Sequence, residues 1–214
     1  MMDIGKKNGY FFLFLTLLAA AIGLFGALFI YLPANPSFSM LSNYISDLSA
    51  GPLPAKILFG IGMGLGGLFL ILSVIYITNN LKQQDKGKNL VQLYSFTGII
   101  GGLGLIVIGI FPLDPAINLA YEIHRISALF FFGFTAISFF CFGYIEYKYT
   151  EFSKVLSIIS LLTGILMGIF IIGFVIQEYS VVPRQSLIYL TEWGFFGVIT
   201  IWLITHGLAF RKKW

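Results

Sequence analysis

The sequence predicts an all-α, polytopic membrane protein with six transmembrane helices and a short amphipathic helix in the first outer loop. Three observations carry this. Only 10% of the 214 residues are charged, against about one-quarter in a soluble domain. Mean hydropathy is +0.92. The chain also holds six apolar runs of the roughly 20 residues needed to cross a hydrocarbon core about 30 Å thick. They are Tyr10–Leu32, Ile57–Thr78, Val91–Phe111, Ile126–Tyr147, Val155–Ile176 and Leu187–Leu208. Little is left between them, so residues 1–214 read as a single six-span membrane domain.

Run one follows Lys6 and Lys7 and contains the small residues Ala19–Ala21, as a secretory signal would. It is too long for the apolar core of a signal and is expected to remain as a span. It ends in "YLPANPSF", and run three ends in "IFPLDPAI". Each carries Pro-x-[Asn/Asp]-Pro, at Pro33–Pro36 and Pro112–Pro115. The first proline lacks an N–H and helps to end a helix. Asn35 or Asp114 is then placed to cap the next helix, with Pro36 or Pro115 at its first position.

In loop one, Met40, Leu41, Tyr44, Ile45 and Leu48 recur at helical spacing and leave Asn43, Ser46 and Asp47 on another face. That pattern predicts the amphipathic helix. After run three, a helix from Pro115 to Glu146 would be about 48 Å long, so its first residues should project from the bilayer or bend.

Runs two and three contain "GIGMGLGG" and "GIIGGLG". Gly62, Gly64 and Gly67 match a dinucleotide-binding pattern in letters only, since that pattern needs a preceding strand and an aqueous site. Inside a span, small residues four apart let helix backbones approach closely. Runs two and three should therefore be neighbours, and Gly164 and Gly168 should act likewise in run five. The same glycine-rich faces suit a helix-packing partner or a homo-oligomer. Cys141 in run four is the single cysteine, which excludes an internal disulfide and a multi-cysteine metal site. In run six, Trp202 lies deeper than an interfacial tryptophan. His206, close to Arg211, Lys212 and Lys213, is expected at the cytoplasmic interface.

Basic residues are retained on the cytoplasmic side. With six spans, the termini and loops two and four share one side. That side carries ten of the 13 basic residues, with Asp3, Asp85, Glu146 and Glu151. The other side carries Lys56, Arg125 and Arg184, with Asp47, Asp114, Glu122, Glu178 and Glu192. This predicts a multi-pass protein of the cell membrane with both termini cytoplasmic. It also accounts for the basic balance without nucleic acid.

The chemically mixed loops then face outward, where candidate site residues collect. His124 is the leading one, because an imidazole exchanges protons near neutral pH. Asp47 and Asp114 are the carboxylates that converging outer loops would bring near it. A His–Asp pair there could serve as general base for a hydroxyl such as Ser46. The structural alternative is that Asp114 caps a helix, Asp47 hydrogen-bonds within its loop and His124 is an interface residue. Glu122 and Arg125 are spaced to pair on a helix. Asn43, Arg125, Arg184 and Glu192 are candidates for holding a polar or phosphate-bearing head group, the arginines as donors. No metal or other cofactor is expected: the two histidines fall on opposite sides, too far apart to share an ion, which leaves His124 with Asp47, Asp114 and Glu122 as the alternative ligand set.

The order "NYISDLSA", "GIFPLD", "IHRISA" across six spans resembles a family of archaeal and bacterial multi-span proteins, domain-of-unknown-function family 998. That family is similar in turn to the Frag/DRAM/Sfk membrane proteins of eukaryotes, some of which are linked to lipid or lipid-anchor remodelling. The resemblance covers nearly the whole chain. It implies that Ser46, Asp47, Asp114 and His124 are the positions to watch, and it implies no established reaction. Membrane lipids are the expected partners, through an outward-facing site that binds or modifies a head group. The alternatives are a non-enzymatic accessory subunit of a membrane complex and a small-solute transporter. For the transporter, neither a clearly broken helix nor a midplane charge is legible.

Overall fold

The structure, a computed structural model, describes residues 9–83, 87–179 and 186–213. It contains α1 (Phe11–Ala34), a 3-10 helix (Ile45–Ala50), α2 (Leu53–Lys82), α3 (Lys88–Ile110), α4 (Asn118–Tyr149), α5 (Lys154–Tyr179) and α6 (Ser186–Lys213). All six α-helices are long and apolar enough to cross a membrane. The chain is a multi-pass integral membrane protein. Most of the helices overshoot their apolar runs onto charged residues, as at Lys82, Lys88 and Lys154.

Each helix packs on the next in the chain, and α1 also packs on α6. Among the described residues no other pair of α-helices brings its backbones close, so the bundle is a ring closed by its first and last members; α4 and α6 meet across it through side chains, with the Phe139 and Trp202 rings 4.9 Å apart. The inner face carries aromatic bulk such as Phe59, Phe142, Trp202 and Phe210. The outer face exposes Phe25, Phe29, Ile61 and Ile126 among many large apolar side chains. A soluble protein does not leave so much apolar surface uncovered; a lipid-facing one requires it.

Glycine fixes the helix spacing, as the sequence predicts. A Cβ on Gly23 of α1 would lie 2.6 Å from the Gly62 Cα of α2. A Cβ on Gly67 would lie 2.6 Å from the Gly102 carbonyl of α3. The backbones meet because no side chain intervenes. Gly164 packs on α4 in the same manner, whereas Gly168, like Gly64, has nothing within 4 Å of a Cβ position. Between α2 and α3, Gly87 turns the chain with φ 66°, a conformation that favours glycine.

Loop one departs from the expected pattern. No α-helix begins at Pro36; residues 36–44 are turns and extended chain. The 3-10 helix uses only the end of the apolar pattern, burying Ile45 and Leu48 and leaving Met40 and Leu41 exposed. Side chains compete for the backbone here. Asn43 Oδ1 accepts from Ser39 N–H at 3.2 Å, and Asp47 Oδ2 accepts from Tyr44 N–H at 2.9 Å. α4 starts at Asn118 rather than Pro115, with no side-chain cap, and Asp114 instead closes a turn ahead of it. Its Oδ1 accepts from Ala116 N–H at 3.1 Å, and its carbonyl accepts from Ile117 N–H at 2.9 Å. That turn delays the helix. With 32 residues, α4 reaches about 48 Å, the expected length shifted along the chain.

Candidate functional site

The ring encloses a cavity of about 610 Å³ lined by all six helices and by loop one. Its loop-one end is polar, with Asn43, Ser46, Asp47, His124, Arg125, Gln177 and Glu192. Its other end is apolar, with Met63, Leu70, Leu105 and Leu203. Along α6 the lining runs from Glu192 to Leu203, roughly 16 Å at 1.5 Å per residue.

Loop one forms the roof, and hydrogen bonds pin it to its surroundings. Ile45 N–H donates to Glu192 Oε2 at 2.7 Å, and Trp193 Nε1–H donates to the Asn43 carbonyl at 3.1 Å. Both bonds reach α6. Leu113 N–H donates to Ser49 Oγ at 2.8 Å, tying loop one to the α3–α4 connection. Ser49 in turn donates to the Ser46 carbonyl at 2.7 Å. Asn43 Nδ2–H donates to Asp47 Oδ2 at 3.1 Å. The polar residues of "NYISDLSA" thus hold an irregular segment in place and line the cavity beneath it.

His124 is 2% exposed. Its Nδ1 lies 2.6 Å from the Phe111 carbonyl. A carbonyl only accepts, so Nδ1 carries the proton, and in the neutral ring Nε2 is an acceptor. Nε2 makes no hydrogen bond among the described residues. Glu192 is 6% exposed, and Ile45 N–H is the one hydrogen-bond donor to it among the described residues.

Six of the eight site residues read from the sequence, namely Asn43, Ser46, Asp47, His124, Arg125 and Glu192, line this one cavity. Asp114 does not: it pairs with Lys56, Nζ to Oδ2, at 2.9 Å on the rim. The Lys56 ammonium, helped by Ala116 N–H, holds the Asp114 carboxyl below the usual carboxylate range. Arg125 pairs with Glu122 at 3.0 Å, as its spacing predicts, and its guanidinium lies 5.4 Å from the Tyr121 ring centroid. Arg184 lies outside the described residues.

A second polar cluster went unread in the sequence. His206, expected at the interface, is instead 0% exposed. Glu146, counted with the charges of one membrane face, is 1% exposed. His206 Nε2 lies 3.1 Å from Glu146 Oε1. Ser160 Oγ–H donates to Glu146 Oε2 at 2.7 Å, and Trp202 Nε1–H donates to Ser160 Oγ at 2.8 Å. Trp202 stacks on the imidazole with centroids 4.3 Å apart. His206 Nδ1 donates to the Trp202 carbonyl at 2.9 Å, which leaves Nε2 facing the Glu146 carboxyl group. This is not a nucleophile triad, because serine and acid both face Nε2. The available signal was depth: Glu146 and His206 each fall inside an apolar run, near the same end of two helices that run in the same direction.

Among the described residues no group of three or more His, Cys, Asp or Glu side chains is placed to hold a metal ion. No curated protein and no solved structure matches the chain. One family model does, over residues 13–209, under the description "Protein of unknown function (DUF998)". The match takes in all of loop one, the α3–α4 connection and most of all six helices, so the chain belongs to that family.

Proposed function

We propose that the protein binds one membrane lipid in this cavity, with the head group at the loop-one mouth and an acyl chain along the apolar length. The carrying observation is the gradient within one continuous cavity. Acceptor groups gather beneath loop one, and the walls below them are almost wholly apolar. At about 610 Å³ the cavity is of ordinary ligand size. The distribution of lysine and arginine supports an exoplasmic mouth, with both termini cytoplasmic.

Native mass spectrometry from a mild detergent tests this. The wild-type chain should retain one lipid. Ala128→Trp, on a cavity-lining residue, should stay folded and lose it. A folded wild-type chain that never retains a lipid contradicts the reading.

A second reading has its own support, since Ser46 and His124 line the same cavity. In it an ester of the bound lipid is also cleaved: Ser46 Oγ adds to the ester carbon as His124 Nε2 takes its proton, that proton passes to the departing alcohol oxygen, and water then hydrolyses the acyl-serine. Ser46→Ala should then keep lipid binding and abolish turnover of the bound lipid, read by mass spectrometry of its products. Undiminished turnover in that variant removes Ser46 from the reaction.

A further inference from the structure

Asp47 and Glu192 accept from successive backbone amides. Tyr44 N–H donates to Asp47 Oδ2 at 2.9 Å, and Ile45 N–H donates to Glu192 Oε2 at 2.7 Å. Two carboxylates are thus drawn to one point of the roof, and both line the cavity. Glu192 has no ion-pair partner among the described residues. A buried carboxylate without a counter-charge is costly, and a cation beside Glu192 relieves the cost.

Two further acceptors face the same space. His124 Nε2 makes no hydrogen bond among the described residues. Gln177 Oε1 is buried without a hydrogen-bond partner there, and Gln177 lines the cavity. The rings of Tyr31, Tyr44 and Phe174 complete the surround, and aromatic faces attract cations. The cavity's described basic residue, Arg125, is engaged by Glu122 at 3.0 Å. A primary ammonium offers three donors and no acceptor. That is the complement of this lining, whereas a phosphate brings acceptors to acceptors.

We infer that the head group bound at this mouth is a protonated primary amine, held by Glu192 and Asp47 with His124 and Gln177 as further acceptors. This rests on the lipid-binding reading and specifies it. The same ammonium is offered by an amine-bearing lipid and by a small free amine, so the test carries both.

Binding to the full chain in a maltoside detergent is measured for dodecylammonium, dodecanol, dodecyl phosphate and ethylammonium. Dodecylammonium should bind at least about tenfold more tightly than dodecanol, the size of one charge-assisted hydrogen bond. It should exceed dodecyl phosphate by more. Glu192→Gln keeps an amide oxygen for Ile45 N–H and so preserves the roof. It should abolish most of the ammonium preference and leave dodecanol unchanged. Equal binding of the three dodecyl probes, or a preference for phosphate, overturns the amine assignment while leaving lipid binding intact. Binding of ethylammonium as tight as dodecylammonium supports the amine site and overturns the lipid reading. Failure of every probe overturns both.

Discussion

Ile45 in loop one and Glu192 in α6 are 147 residues apart in sequence and joined by a 2.7 Å hydrogen bond. The bond fastens the cavity's roof to the helix that closes the ring. Glu192→Leu would leave the Ile45 N–H without an acceptor, at a cost of about 1–3 kcal/mol. Hydrogen exchange of the amides of residues 43–50 should rise in that variant, with a lower thermal midpoint. Glu192→Gln should change neither by much, because its amide oxygen still accepts.

The Glu146–His206 pair makes a sharper stability prediction. Removing one member of a buried polar pair leaves the other without its partner, at a cost of about 1–3 kcal/mol. His206→Leu and Glu146→Leu should each destabilise strongly, and the double variant should cost less than their sum. Denaturant unfolding in detergent micelles measures the cycle. Additive losses would show that the two side chains do not act as a pair.

Glycine packing separates two residues of one motif. Gly62→Ala drives a Cβ into the Gly23 backbone and should cost about 1–3 kcal/mol through overpacking. Gly64→Ala meets nothing within 4 Å and should be neutral. Thermal unfolding of the two variants side by side checks this.

Asp114 sets an acid-sensitive term. Its folded pKa is lowered below 3.8 by the Lys56 hydrogen bond first and the Ala116 N–H second. A lowered carboxyl pKa stabilises the folded state above the unfolded value. That stability fades as pH falls through the folded value. Thermal midpoints of the wild type should therefore drop below about pH 4, and Asp114→Asn should flatten that part of the profile.

Much of the architecture was legible because lipid imposes a simple rule: about 20 apolar residues per crossing. The glycine spacing in runs two and three likewise named neighbouring helices. In loop one the helix is short and 3-10, which was not legible because apolar spacing is blind to side chains that bond nearby backbone, as those of Asn43 and Asp47 do. Asp114, expected to cap the next helix, closes a turn before it instead, and its pairing with Lys56, 58 residues away, was not legible. Glu146 and His206 were invisible as a pair because 60 residues separate them. Only their shared depth hinted at contact.

In the proposed binding mode an acyl chain lies inside the ring. A lipid with an amine head group and a photoreactive diazirine at its chain end, crosslinked in bilayers and mapped by mass spectrometry, tests it directly. Adducts on the cavity residues Met63, Leu70 and Leu203, lost in Ala128→Trp, are the predicted result. Adducts confined to the outward-facing Phe25, Phe29 and Ile61 would contradict it.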